Sequence, residues 1–294
     1  MKLLTYKIGH SEEIGVLSKC EKRIYPMKVL GLSYKTMNEF IESATENEIS
    51  YLKSKIDEGP EEYIQSDKVK VLAPIPRPKQ DVICLGINYM DHAEESARFK
   101  KEEFGGERPF AVYFSKRVNE ATPDGGVIPR YKDLVDSLDY EVELGVIIKK
   151  DAKDVNKEDA FDYVLGYTII NDVSARNLQT RHKQWYFGKS LDGFLPMGPW
   201  IVTADEFENC PKLQIRSKVN GEIRQNSNTD LLIFKIDHVI SELSRGMTLK
   251  AGTIIAMGTP AGVGMGFVPP KFLNTGDVIE CEIEGIGKLK NMVE

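Results

Sequence analysis

The stretch DYEVELGVII, residues 139–148, opens with a clean alternation of acidic and apolar residues. Residues two apart on a strand share a face, so Tyr140, Val142 and Leu144 take one side and Glu141 and Glu143 the other. FDYVLGYTIINDVSARN (161–177) follows as an apolar strand that runs into polar residues at Asn171-Asp172. Upstream lie the apolar strand DVICLGINY (81–89), ending in Gly and Asn, and the strand PFAVYFSK (109–116). Downstream, KLQIRSKVNGEIRQ and GDVIECEIEGIGKLKN read as hairpins, the first with an Asn-Gly turn between its strands. Short strands at close spacing, with few helices between them, predict a mixed or antiparallel sheet core after residue 80.

The first 70 residues alternate short strand-like pieces with polar helical ones. SYKTMNEFIESA (33–44) starts at a Ser or Thr cap and carries apolar residues at helical spacing. Pro74, Pro76 and Pro78 then make a stiff, extended connector. The expected organisation is a small α+β domain over 1–70, a linker over 71–80 and a strand-rich domain over 81–294.

The 294 residues carry 39 Lys and Arg against 45 Asp and Glu, a net charge of −6, which argues against a broad surface for nucleic acid or anionic membrane. Cys20, Cys84, Cys210 and Cys281 are far apart and form no C-x-x-C pair, so reduced thiols are expected rather than a disulfide framework or a cysteine zinc site. The N-terminus reads as no signal peptide, and no apolar run is long enough to span a bilayer. A cytoplasmic protein is the expectation.

Glu141 and Glu143 on one face suit a solvated strand or the surroundings of a cation. Asp172 at the mouth of a buried strand is a turn residue or a ligand. Together the three carboxylates would make an all-oxygen site for a hard ion, Mg²⁺ or Mn²⁺, rather than zinc. In MDHAEESARFKKEEFGGERP (90–109), a charged, helix-prone stretch, His92 and Glu95 are three apart and share a helix face. A carboxylate there fixes an imidazole's tautomer for proton transfer, although the same spacing suits a surface histidine. His10, His182 and His238 show no comparable partner in sequence. Gly188-Lys189-Ser190 lacks the earlier glycine of a phosphate loop, since position 183 is Lys. Lys189, and Lys116 at the end of its strand, remain candidate electrostatic stabilisers or solvated lysines. Met257-Gly258-Thr259-Pro260-Ala261-Gly262-Val263-Gly264 does not fit a dinucleotide fingerprint; its backbone N–H groups and Thr259 hydroxyl suit a carboxylate or a plain turn.

Taken in order, CLGINYMDHAEE (84–95), YFSK (113–116), DYEVELGV (139–146), GYTIINDVSARNLQ (166–179), GKSLDGFLPMGPWIVT (188–203), VNGEIRQ (219–225) and MGTPAGVG (257–264) resemble the fumarylacetoacetate hydrolase family. The resemblance covers nearly everything after residue 80; residues 1–70 resemble the small, variable leading domain of longer members. It implies a mixed β-sheet roll, sandwich-like, with the metal site in its mouth, and a homodimer. It places Mg²⁺ or Mn²⁺ on Glu141, Glu143 and Asp172. It makes His92 and Glu95 a water-activating dyad on a lid over 90–106, and lines the substrate pocket with Lys189 and Thr259. Lys116 joins them as a second charge-neutralising lysine.

The activity expected from this resemblance is hydrolysis of a C–C bond in a 2,4-dioxo acid of the acylpyruvate or fumarylpyruvate type, with a metal-stabilised pyruvate enolate leaving. The alternatives are a decarboxylase or isomerase of oxo-dioic acids (oxaloacetate or 2-hydroxyhepta-2,4-diene-1,7-dioate type), a non-catalytic oxo-acid binding protein, or a structural oligomer. Arg98, Phe99, Arg176, Gln179 and Trp185 are candidates for substrate selection.

Overall fold

A computed structural model describes residues 1–100, 106 and 109–294. The strand Val142–Ile148 is buried along its whole length. Val142, Leu144, Val146 and Ile148 pack into one core with Ile215, Ile279, Ile283 and Leu289. Ile147, of opposite parity, packs into a second core with Phe40, Ile41 and Leu52. Alternate residues therefore serve two different cores, each buried aliphatic side chain stabilising the fold by roughly 1.5–3 kcal/mol. Glu141 and Glu143 share the parity of Ile147, so the strand has no solvated face to offer them.

The main sheet has 11 strands among the described residues. Val142–Ile148 sits inside it, between Val164–Asn171 and Ile254–Ala256, and antiparallel to both. Ile254–Ala256 pairs in parallel with Val82–Leu85, and Tyr113–Lys116 closes that side. On the other side Met197–Thr203 follows Val164–Asn171, and Lys2–Ile8 pairs directly with Met197–Thr203. Residues 1–70 thus extend the same sheet through Lys2–Ile8, Ser11–Leu17, Arg23–Pro26 and Ile64–Gln65. Their two helices cover the second core. Met37–Ser43 begins at Thr36, whose side chain accepts from Glu39 N. Glu46–Glu58 begins at Thr45 with a full capping box to Glu48.

A second sheet of five strands packs over the first core. It holds both expected hairpins: Gln214–Val219 with Glu222–Asn228, and Val278–Ile283 with Gly287–Val293. Asn220 and Gly221 turn the first with φ of 51° and 83°, the doubly left-handed pair that tight hairpins demand. The architecture is the mixed α+β roll expected, with a small N-terminal α/β region. No helix among the described residues is long and apolar enough to cross a membrane.

Candidate active site and metal centre

Two neighbouring strands deliver the acids. Val142 pairs with Asn171 and Glu143 with Ile170. Just beyond that ladder Asp172 N donates to Glu141 O at 2.8 Å, and Glu141 N donates to Asn171 Oδ1 at 3.0 Å. This register brings carboxylate oxygens of Glu141, Glu143 and Asp172 within 4.8 Å of one another, all three residues being buried.

Three buried cations answer them unequally. Lys189 Nζ donates to Glu141 Oε2 at 2.8 Å and to Asp172 Oδ2 at 2.6 Å. Lys116 pairs with Asp172 and donates to Val173 O at 3.0 Å. Arg176 Nη1 lies 2.6 Å from Glu141 Oε1, and its Nε donates to Asp139 Oδ2 at 2.8 Å. Glu143 accepts from Gly258 N at 2.8 Å and forms no ion pair with a described Lys or Arg. The electrostatics follow. Burial, then the neighbouring Asp172 and Glu141 charges, raise the Glu143 carboxyl well above its ordinary range. Burial also opposes the Glu141 charge, but Lys189 and Arg176 overcome it and hold that carboxyl at about 2. Burial lowers the Lys116 ammonium, with Asp172 opposing. An all-oxygen set in which one carboxylate has no cation of its own fits a hard divalent ion, and the absence of sulfur or imidazole from the set argues against zinc.

The dyad comes from the helix Met90–Lys100. His92 Nδ1 and Glu95 Oε2 are 3.0 Å apart, and the residues are only 3% and 5% exposed, so His92 is no surface histidine. Glu95 Oε1 accepts from Gly262 N at 3.0 Å. With its carboxylate so engaged, Glu95 suits the tautomer in which Nδ1–H donates to Oε2 and Nε2 is the acceptor nitrogen. His92 lines a cavity of about 570 Å³ together with Phe99, Glu141, Arg176, Gln179, Trp185, Lys189 and Met265. Of the suggested selectivity residues, Arg98 is not on that wall. Residues 101–105 of the expected lid lie outside the described residues.

Lys116 and Thr259 sit behind the cavity wall rather than on it. Thr259 Oγ1 donates to Val142 O at 2.9 Å and accepts from Gln225 Nε2 at 2.6 Å. The glycine-rich turn does hold carboxylates, but they are the chain's own. Gly258 N serves Glu143, Gly262 N serves Glu95, and Gly264 N and Met265 N serve Asp139 at 2.6 and 3.0 Å. His238 also departs from expectation: its Nε2 lies 3.4 Å from Glu242 Oε2, an i,i+4 pair that the sequence offered, and it is not among the residues that line the cavity.

Sequence reasoning missed three supporting residues. Asp139, fully buried, accepts from Tyr140 N, Gly264 N, Met265 N and Arg176 Nε. Its signal was an acid opening a buried strand stretch. Gln225, the last residue of VNGEIRQ, accepts from Val142 N at 3.1 Å and donates to Pro260 O at 2.8 Å. Asn88 donates to Met257 O at 2.8 Å and accepts from Phe234 N at 2.7 Å. Arg176 is further in than an exposed arginine would be: its Nη2 is buried without a hydrogen-bond partner among the described residues, in a residue that lines the cavity.

Residues 81–294 match the family model described as fumarylacetoacetate (FAA) hydrolase C-terminal. A curated relative, "Oxaloacetate tautomerase YisK" of Bacillus subtilis (strain 168), is 41% identical over 286 residues, 96% of this chain and 93% of the relative. Among solved structures, the fumarylacetoacetate hydrolase of Exiguobacterium antarcticum superposes with a TM-score of 0.81 at 38% identity, covering 100% of this chain and 99% of the other. The 5-carboxymethyl-2-hydroxymuconate delta-isomerase of Mycobacterium smegmatis gives a TM-score of 0.75 at 28% identity, with coverage of 100% and 99%.

Proposed function

The chain belongs to the fumarylacetoacetate hydrolase family, and from that premise we propose that it is a metal-dependent keto–enol tautomerase of a 2-oxo dioic acid of the oxaloacetate type. The observation that carries this choice among the family's reactions is the near-full-length relative named as an oxaloacetate tautomerase. The cofactor is Mg²⁺ or Mn²⁺ on Glu141, Glu143 and Asp172, where it would supply Lewis-acid polarisation of the 2-oxo group.

The chain's own residues do the rest. His92, oriented through Nδ1 by Glu95, takes a proton through Nε2 from the carbon beside the 2-oxo group. That C–H bond breaks, a C=C bond forms, and the former carbonyl oxygen gains a proton, so the keto and enol forms interconvert without consuming water. Lys189 places fixed positive charge beside the oxygen at which negative charge develops. Arg176, a buried cation in the cavity lining whose Nη2 has no hydrogen-bond partner among the described residues, takes the second carboxylate. Lys116 and Thr259 hold Asp172 and the start of the Glu-bearing strand in place from behind. Residues 81–294 are the catalytic part, with 71–80 the connector to residues 1–70. The assembly is a homodimer in the cytoplasm, where its four free cysteines stay reduced.

Enol absorbance of oxaloacetate, followed with Mn²⁺ or EDTA for the wild type and His92→Ala, tests this. The expected result is metal-dependent equilibration without pyruvate release, falling by about 10²–10⁴-fold in the variant. Hydrolysis of a 2,4-dioxo acid is the second reading, favoured by the 38% identity to the Exiguobacterium hydrolase. Cleavage of acetylpyruvate to pyruvate, with no acceleration of oxaloacetate equilibration, would replace the first reading by the second.

A further inference from the structure

The turn over 262–266 meets the dyad helix at one point. Glu95 Oε1 accepts from Gly262 N, which leaves Oε2 for His92. Gly266 makes room for this: a Cβ on Gly266 would stand 1.6 Å from Glu95 Oε1, 2.0 Å from its Cδ and 2.4 Å from its Cγ. The turn itself is pinned. Gly264 N and Met265 N donate to Asp139, Gly266 N donates to Val263 O at 2.9 Å, and Lys271 N donates to Gly264 O at 2.8 Å. It has no freedom to retreat from a larger residue, whereas a glutamate side chain does.

We propose that Gly266 is a positioning residue for proton transfer, its missing side chain forming the seat that holds Glu95 against His92. The proposal deepens the tautomerase reading and rests on it for the identity of the transferred proton. Gly262 is the wrong probe, because its φ is +104° and a Cβ there would meet Arg224 O at 2.0 Å, a backbone clash that disturbs the turn itself. Gly266 is the right one. Its φ is not in the left-handed region, and the clashing atoms are the far end of a flexible side chain. Gly266→Ala therefore folds and expels Glu95 rather than moving the backbone.

The test compares wild type, Gly266→Ala, Glu95→Ala and the double variant in the Mg²⁺-loaded protein. One readout needs no substrate: the hydrogen-bonded Nδ1 proton of His92 in ¹⁵N-histidine-labelled protein, assigned by its loss in His92→Ala. This resonance is expected in the wild type and absent from Gly266→Ala, as it is from Glu95→Ala. In oxaloacetate equilibration, Gly266→Ala should lower kcat about 100-fold with KM within about threefold, and should cost nothing further in the Glu95→Ala background. A retained resonance with wild-type kcat overturns the proposal, as does a full multiplicative loss in the double variant. If the wild type fails to act on oxaloacetate, the tautomerase reading falls, and the resonance alone decides the seat.

Discussion

At the scale of single residues, the site rests on inequality among its carboxylates. Glu141 and Asp172 each touch two cationic side chains, while Glu143 has a backbone N–H. Asp139 carries a different load: one fully buried carboxylate satisfies an arginine and three backbone N–H groups. Removing it takes one of two carboxylates from Arg176, leaving only Glu141, and strands the donors of the 264–265 turn. Asp139→Ala is therefore expected to destabilise the protein by about 3–5 kcal/mol, read as a drop in the urea midpoint. A change under about 1 kcal/mol would mean that water replaces the carboxylate. Glu141, Glu143, His92 and Glu95 were legible at this scale because each depends on a short-range period, two residues on a strand or three on a helix. Arg176 was a candidate for substrate selection, but its pairing with Asp139 and the seat of Asp139 in the glycine-rich turn were not legible, because those partners lie 37 and 125 positions apart along the chain.

Elements place these residues through register and turns. The Glu-bearing strand and its neighbour deliver acids from both sides, because Glu143 pairs with Ile170 and Asp172 follows two positions later. The turn after Ile254–Ala256 supplies N–H donors to three carboxylates that arrive from other elements. Elsewhere, the turn 123–126 buttresses the last strand, with Asp124 Oδ1 accepting from Lys290 N at 2.7 Å. Asp124 keeps an exposed face, but partial desolvation of its carboxyl against the turn outweighs the Lys290 and Gly125 N–H groups and raises it above its ordinary range. The folded state then holds the proton more tightly than the unfolded chain does, so stability falls as pH rises through that window. Asp124→Asn keeps the acceptor oxygen and removes the titration. Its thermal midpoint should exceed the wild type's at neutral pH, the gain vanishing below about pH 3.9, the usual Asp value. A gain independent of pH would show that the charge is not the cause.

Across the whole molecule, one sheet runs from the N-terminal hairpin strands to Tyr113–Lys116, so the three-carboxylate cluster sits in a sheet that residues 1–70 help to extend. The acids lie where that sheet is covered on both faces. An ion that binds only this assembled arrangement must stabilise it. At about 100 times its dissociation constant Mn²⁺ should add roughly 2.7 kcal/mol, a rise in Tm of about 5 °C, reversed by EDTA and lost in Glu143→Gln. An unchanged wild-type Tm would leave the carboxylates without a metal role.

Sequence pattern was enough for the strand-rich core, both hairpins, the first capped N-terminal helix, the Glu141–Glu143 face and the His92–Glu95 pair. Each is a local pattern, readable because side-chain direction repeats with a short period. The folded arrangement sets Lys116 and Thr259 behind the cavity and gives the glycine-rich turn to the protein's own carboxylates. It alone turned Arg176 inward and left Glu143 without a described Lys or Arg partner. Those outcomes depend on which distant groups share a desolvated space, where an unpaired charge or N–H is costly, and no spacing along one chain encodes that directly.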